Sequence, residues 1–341
     1  MVDFTSLQDE FEHVRCNVCG ADDTRLLLTE LGLTIVKCRR CSLIYVNPRL
    51  TGESRTRYYK DLLGVRSNEV SSLLPESDMA YAAAIAACYA KTDYHAMNKY
   101  AFAVHRQILL QISEIVPRGR FLDIGCGWGY LLKRAREEFG YEVYGLEPSN
   151  KLAEACRNQR GLKEVFQGTL EEAEYPPDYF DVVTLSDVLE HLPDPTKALA
   201  KISDMLRPGG VVFIKVPNAN YLELKTLVLA KTGFARRLGI MGPAGLMNPR
   251  VHLYNFSQRS LGQLLSKHGF EPKKFLSFGG GRMGISRRDH IQRVYSLLAW
   301  LAKMLSAGHV DLYHSFGVIA ILPGQSITPG NYVERSNWHV L

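Results

Sequence analysis

The sequence predicts an α/β fold: a parallel sheet covered by helices on both faces, preceded by a small metal-bound module. Three observations carry this expectation. Short apolar strands alternate with helical segments between residues 120 and 216, a glycine-rich turn follows the first of those strands, and two Cys-x-x-Cys pairs lie within residues 1–48. Strand–helix alternation at this spacing builds βαβ units, whose strands run parallel.

Residues 1–48 hold four of the seven cysteines and short β-branched stretches, and are expected to form a zinc-binding module. Residues 49–116 read as a helical linker or cap. Within it, 81–89 is alanine-rich, and 102–116 repeats apolar residues at helical spacing until Pro117 and Gly119 break the pattern. The main domain is expected over 117–324. Its strands are predicted at 120–124, 142–146, 164–167, 181–186 and 211–216, and its helices at 129–139, 151–160 and 196–206. Pro208-Gly209-Gly210 ends the last of these helices, and Pro217 closes the strand after it. An acceptor or lid insertion follows at about 219–256, then a helix at 257–268, a strand near 273–278 and a fully apolar strand at 316–322. Residues 325–341 read as a polar tail.

With 46% hydrophobic and 22% charged residues, the chain is neither disordered nor collagen-like. The densest apolar run, 211–216, already contains Lys215 and falls far short of the ~18–20 residues of a membrane span. Residues 1–12 carry Asp3, Asp9, Glu10 and Glu12 and lack the apolar stretch of a signal peptide. An odd cysteine count in a chain this long argues against a secreted disulfide framework, so a cytoplasmic location is expected. The net charge of +6 is unevenly spread: 224–270 carries Lys225, Lys231, Arg236, Arg237, Arg250, Arg259 and Lys267 with no carboxylate. Such a stretch is either a solvated face or a field that attracts an anionic, phosphate-bearing acceptor.

Cys16-x-x-Cys19 and Cys38-x-x-Cys41 are 18 residues apart, a spacing at which two knuckles bring four thiolates around one tetrahedral zinc. The linker can form a hairpin through 26–28 and 34–36. Four ordinary core cysteines or a redox pair are the alternatives, but neither pair opens a helix after a strand, as a redox pair does. Four thiolates leave no open position on the metal, so its role is structural.

The glycine turn lies in Phe121-Leu122-Asp123-Ile124-Gly125-Cys126-Gly127-Trp128-Gly129. A dinucleotide fingerprint would place glycine where Tyr130 stands. Asp123, two residues before the first glycine, would repel a pyrophosphate but suits a ligand that carries an ammonium group. The chain from about 100 to 322 thus resembles the class I S-adenosylmethionine-dependent methyltransferases. The likeness rests on the glycine turn, on Glu147 and Pro148 after the second strand, on Gln167-Gly168-Thr169-Leu170-Glu171, on 180–192, and on Leu206-Arg207-Pro208-Gly209-Gly210. It implies a Rossmann-like class I methyltransferase fold, a seven-stranded sheet whose last strand, 316–322, is antiparallel, with the zinc-ribbon module at its N-terminus. It also implies that Tyr100, Asp123, Gly125, Cys126, Gly127, Glu147, Pro148, Thr169, Leu170 and Ser186 surround S-adenosylmethionine and its product S-adenosylhomocysteine.

Methyl transfer from a sulfonium needs alignment above all, worth ~7–11 kcal/mol of the barrier, and a base when the acceptor is a hydroxyl or an acidic C–H. His191, after the fourth strand, and His252, after the basic stretch, are the candidate bases. Each has a structural alternative: a contact within the Glu190-His191 turn, or a hydrogen bond ahead of the helix at Ser257. Tyr100 either covers the cofactor or fills the core. Met241-Gly242-Pro243-Ala244-Gly245 suits a mobile lid, and the amphipathic stretch 291–305 is a buried helix or a membrane-surface element.

Three functions follow. The first is methylation of a small anionic acceptor, such as a nucleotide-linked sugar or another biosynthetic metabolite. The four-cysteine module resembles that of deoxysugar C-methyltransferases, whereas Glu190-His191 and Val216-Pro217-Asn218 resemble quinone-biosynthesis O-methyltransferases. The second is RNA methylation, disfavoured because no arginine-rich run or aromatic platform is evident. The third is a non-catalytic, cofactor-binding scaffold. A homodimer is left open.

Overall fold

The computed structural model describes residues 10–30, 32–52, 54, 99–231, 247, 249–278, 297, 299, 301, 304–306 and 311–324. The expected helix at 81–89, the Met241–Gly245 loop, the tail at 325–341 and most of 291–305 lie outside them.

The main sheet has seven strands: β6 (Arg120–Ile124), β7 (Glu142–Glu147), β8 (Val165–Gln167), β9 (Phe180–Ser186), β10 (Leu206–Pro217), β12 (Glu271–Phe278) and β13 (Ser315–Ile321). Their order is β12-β13-β10-β9-β6-β7-β8. The strand pairs from β8 to β10 are parallel, while β13 runs antiparallel to both β10 and β12. This is the expected seven-stranded sheet with its last strand reversed.

The central strands are apolar on both faces because helices cover both. One core packs Leu122, Ile124, Val183, Leu185, Val212 and Ile214. The other packs Phe121, Val182, Val211, Phe213 and Ile319. The covering helices are α1 (Lys99–Ser113), α2 (Tyr130–Phe139), α3 (Asn150–Arg160), α4 (Pro195–Met205), α5 (Ala219–Lys231) and α6 (Gln258–Lys267). Helix α4 buries Ala198, Leu199, Ile202 and Met205, one stripe at helical spacing. Its start is fixed by Pro195 in the first turn and by the Asp194 side chain, which accepts from the amides of Thr196 and Lys197. Helix α6 starts in a reciprocal cap between Ser257 and Ser260.

Strand β10 starts at Leu206, five residues before the predicted 211. Leu206 already pairs with Phe180, and the register then shifts before Val211 pairs with Val182, so the Pro-Gly-Gly segment bulges within the strand.

The cysteine segment folds as β2 (Thr24–Glu30), β3 (Leu33–Cys38) and β4 (Ile44–Val46), with β1 (Phe11–Glu12) paired to β5 (Arg49–Leu50). A fourth strand joins β2–β4 from far along the chain: β11 (Tyr254–Asn255) pairs with β4, and the sheet order is β11-β4-β3-β2. Cys16, Val18, Leu43 and Tyr45 share a core with Leu189, Leu253 and Phe256.

Candidate active site

At the carboxyl ends of β6 and β9 the chain's path reverses, the place where open α/β sheets form a ligand crevice. Gly125 and Gly127 both adopt positive φ there, +69° and +55°. A Cβ on Gly125 would lie 2.5 Å from Val188 Cγ2, whereas one on Gly127 would meet nothing within 4 Å. Gly125 therefore allows the segment after β9 to close in, and Gly127 offers bare backbone to an open space that a ligand can enter.

Two buried carboxylates stand beside this turn. Glu147 accepts from the amides of Gly127 (2.9 Å) and Ser149 (3.0 Å). Burial raises its pKa, and those two amides work against the rise. Asp123 accepts from the Thr184 hydroxyl at 2.6 Å. Burial pushes its pKa up to about 7, the Thr184 bond opposing and the nearby Glu147 charge adding. Ser186 ends the neighbouring strand, Cys126 is buried in the turn, and the Cys156 thiol donates to the Gly127 carbonyl at 3.1 Å. Pro148 is exposed beside Glu147. Beyond β8, the Gly168 amide donates to the Glu147 carbonyl. Thr169 follows, its amide held by the Glu172 carboxylate, and Leu170 packs into the core. Tyr100 lies in α1, but its side chain is outside the described residues. Two buried carboxylates around an open glycine backbone form a donor set whose chemistry fits the hydroxyls and the ammonium of S-adenosylmethionine.

Across the crevice, a 3-10 turn (Leu189–His191) follows β9. His191 and His252 lie side by side, ring centroids 4.7 Å apart. His191 Nδ1 is 3.0 Å from the Val251 carbonyl and His252 Nδ1 is 2.8 Å from the Met247 carbonyl. A carbonyl only accepts, so both Nδ1 atoms carry hydrogen and both Nε2 atoms carry the lone pair in the neutral rings. Burial lowers the pKa of His252, against the opposing pull of the Met247 carbonyl and Asp187, which favours the neutral ring.

Glu190 is 1% exposed, and neither of its carboxylate oxygens has a hydrogen-bond partner. Burial, then the Asp187 charge, drives its pKa well up. Asp187 is exposed, and the desolvation of its carboxylate is outweighed by its ion pair with Lys215, which holds its pKa down. Glu190, His191 and His252 bring ligand-capable atoms within 4.8 Å of one another, and such a set could also hold a divalent cation.

Sequence reasoning singled out neither Asp187, Lys215 nor His314. His314 packs against Tyr221 at 5.2 Å, and burial, then the Lys215 charge, lowers its pKa. Its signal was available: a residue just before an antiparallel last strand must stand at the carboxyl edge of its parallel neighbours.

The four cysteines converge. Cys16 and Cys41 sulfurs are 3.4 Å apart, those of Cys19 and Cys38 are 3.6 Å apart, and all four lie within 4.8 Å of one another. Zinc–sulfur bonds of ~2.3 Å in a tetrahedron separate the sulfurs by about 3.8 Å, so the set fits one zinc ion.

Residues 97–274, just over half of the chain, match the family described as "Methyltransferase domain". The chain belongs to this methyltransferase family. Together with the sheet order, this makes the fold that of a class I, Rossmann-like methyltransferase. Among curated members, the Vibrio atlanticus ubiquinone biosynthesis O-methyltransferase is 35% identical over 39% of this chain and 56% of its own length. The Aeromonas salmonicida protein of the same name is 40% identical over 30% and 44%. The match thus spans about half the length of these relatives. Solved neighbours include a Burkholderia thailandensis 1,6-didemethyltoxoflavin-N1-methyltransferase with S-adenosylhomocysteine bound (16% identity, TM-score 0.47, 88% of this chain and 99% of that one). Another is an S-adenosylmethionine-dependent methyltransferase from Mesorhizobium loti (20% identity, TM-score 0.43, 63% and 96%). Among the described residues, no helix is long and apolar enough to cross a membrane.

Proposed function

We propose that the protein transfers the methyl group of S-adenosylmethionine to a hydroxyl oxygen of a small anionic metabolite, with the His191–His252 pair taking the hydroxyl proton. One observation carries this reading. Val188, which closes on Gly125 of the glycine turn, begins the turn that presents His191, and the His191 amide donates back to the Val188 carbonyl. The two histidines thereby sit next to the cofactor crevice with their Nε2 lone pairs set by the Nδ1 hydrogen bonds.

When bound, S-adenosylmethionine supplies a methyl already activated by its sulfonium and leaves as S-adenosylhomocysteine. Asp123 and Glu147 hold the donor, and the bare backbone at Gly127 lets it approach. As the acceptor oxygen takes the methyl, its proton passes to an Nε2 atom. The basic, carboxylate-free stretch 224–270 favours an acceptor that carries negative charge. The names of the Vibrio and Aeromonas relatives favour oxygen over nitrogen or carbon as the methylated atom.

The test uses methyl-labelled S-adenosylmethionine with a host extract separated into metabolite and macromolecular fractions. Label should enter an anionic metabolite as an O-methyl group, and His252→Ala or His191→Ala should lower kcat by ~10²–10⁴ with cofactor affinity retained. Label in RNA or protein, or full turnover by both variants, would refute the reading.

A further inference from the structure

The cysteine module and the histidine pair are joined by a continuous set of hydrogen bonds. His252 lies two residues before β11, the strand that completes the module's sheet, with Tyr254 opposite Tyr45. Leu253 is held on both sides: its amide donates to the Glu190 carbonyl (2.9 Å), and its carbonyl accepts from the Val46 amide (3.0 Å). Val251, on the other side of His252, accepts from the His191 ring. The stretch 251–254 is thus fastened to the 3-10 turn along one edge and to the module along the other.

The metal knuckle reaches the same place. Asn17, between Cys16 and Cys19, places its side-chain oxygen 3.0 Å from the Tyr254 hydroxyl and accepts on its carbonyl from Thr196 (3.0 Å). The single Tyr254 hydroxyl proton is shared between Asn17 and the Pro193 carbonyl, also at 3.0 Å. Arg49, 8% exposed, donates to that hydroxyl (2.6 Å) and to Pro193 (2.8 Å), while Glu12 pairs with its Nε at 2.8 Å. A stabilising function alone would need only the apolar contact between module and domain. Here buried, directional polar bonds converge on one hydroxyl two residues from His252, a device that fixes geometry.

We propose that the cysteine module sets the position of the His191–His252 pair, with Asn17, Arg49 and Tyr254 as its positioning residues. This rests on the reading of that pair as the acceptor-side base. The four thiolates hold Asn17 in the knuckle, Asn17 and Arg49 orient the Tyr254 hydroxyl, and β11 carries that orientation to His252.

The experiment uses the full-length, zinc-loaded protein with S-adenosylhomocysteine as the probe. Tyr254→Phe, which keeps the ring, and Arg49→Lys, which removes the fork, are compared with wild type. Both should keep one zinc per chain and S-adenosylhomocysteine affinity within about twofold. They should nevertheless shift the His191 and His252 ring resonances and slow label transfer to extract metabolites about tenfold, the order expected when a reacting group is misplaced by less than 1 Å. Unmoved ring resonances with zinc retained would overturn the proposal. So would loss of zinc or of S-adenosylhomocysteine affinity in both variants, because the effect would then be general unfolding. Moved resonances alongside full-rate His191→Ala and His252→Ala would leave the coupling standing and remove the base reading instead.

Discussion

The two walls of the crevice are built in different ways. The cofactor wall comes mainly from short, contiguous motifs: Asp123 to Gly127 is one strand end and its turn, and Glu147 reaches back to Gly127 over a separation of 20 residues. The proposed acceptor wall is assembled from places scattered along the chain. Arg49 meets Tyr254 across 205 residues, and Asn17 meets it across 237. Local backbone geometry suffices for the first wall, whereas the second depends on a docked module that a metal is expected to hold together. The first should therefore be robust to damage elsewhere and the second should not.

Removing the metal should separate the walls most sharply. Structural zinc contributes ~10–16 kcal/mol of apparent binding energy, which a small ribbon has little other means to replace. Cys38→Ser is expected to lose zinc, lower Tm and reduce methyl transfer by about two orders of magnitude, through displacement of a reacting group. S-adenosylhomocysteine affinity, read by calorimetry, should change only a few-fold. Equal collapse of affinity would erase the distinction between the two walls.

The converse damage is Glu147→Gln. Its carboxylate accepts two backbone amides, and charged hydrogen bonds contribute about 1.5–3 kcal/mol each. Cofactor binding should weaken by about 10- to 100-fold. At saturating cofactor kcat should be nearly unchanged, because this residue does not touch the acceptor wall. A fall in kcat with no change in affinity would assign Glu147 to the wrong wall.

This asymmetry also explains what could be read in advance. The strands of the sheet and the glycine turn were legible because each leaves a local pattern: apolar runs at 181–186 and 211–216, and glycines where φ must be positive. The reversal of the last strand came from the family resemblance, because an apolar run carries no direction. The cysteine spacing was legible as a local pattern too. Strand β11 was not: two residues pairing with a strand about 200 positions earlier leave no periodicity to detect. Asp187 and Lys215 were invisible as a pair because each, taken alone, is an ordinary charge at a strand end. Pro208-Gly209-Gly210 misled for a physical reason. These residues signal a turn, yet a bulge can absorb them inside a strand when the flanking Leu206 finds its own partner in Phe180.

The mildest perturbation is pH, and its effect on cofactor binding falls on Asp123. Burial raises the Asp123 pKa from 3.8 to about 7, so the folded, ligand-free protein binds a proton there that the unfolded chain releases between those values. The sign follows: this group's contribution to stability is present at low pH and is lost as pH rises toward 7. A ligand bringing an ammonium group to Asp123 reverses the preference, because it needs the carboxylate. Between pH 8 and pH 6 the ionised fraction of a group with pKa about 7 falls roughly tenfold. S-adenosylhomocysteine affinity should fall by about the same factor, with roughly one proton released per ligand bound at the acidic end. Calorimetry in buffers of different ionisation enthalpy measures that proton directly. Asp123→Asn should abolish the release and flatten the profile, while His252→Ala should leave both as they are. A steep profile that survives Asp123→Asn would place the titrating group elsewhere and take the ammonium contact away from Asp123.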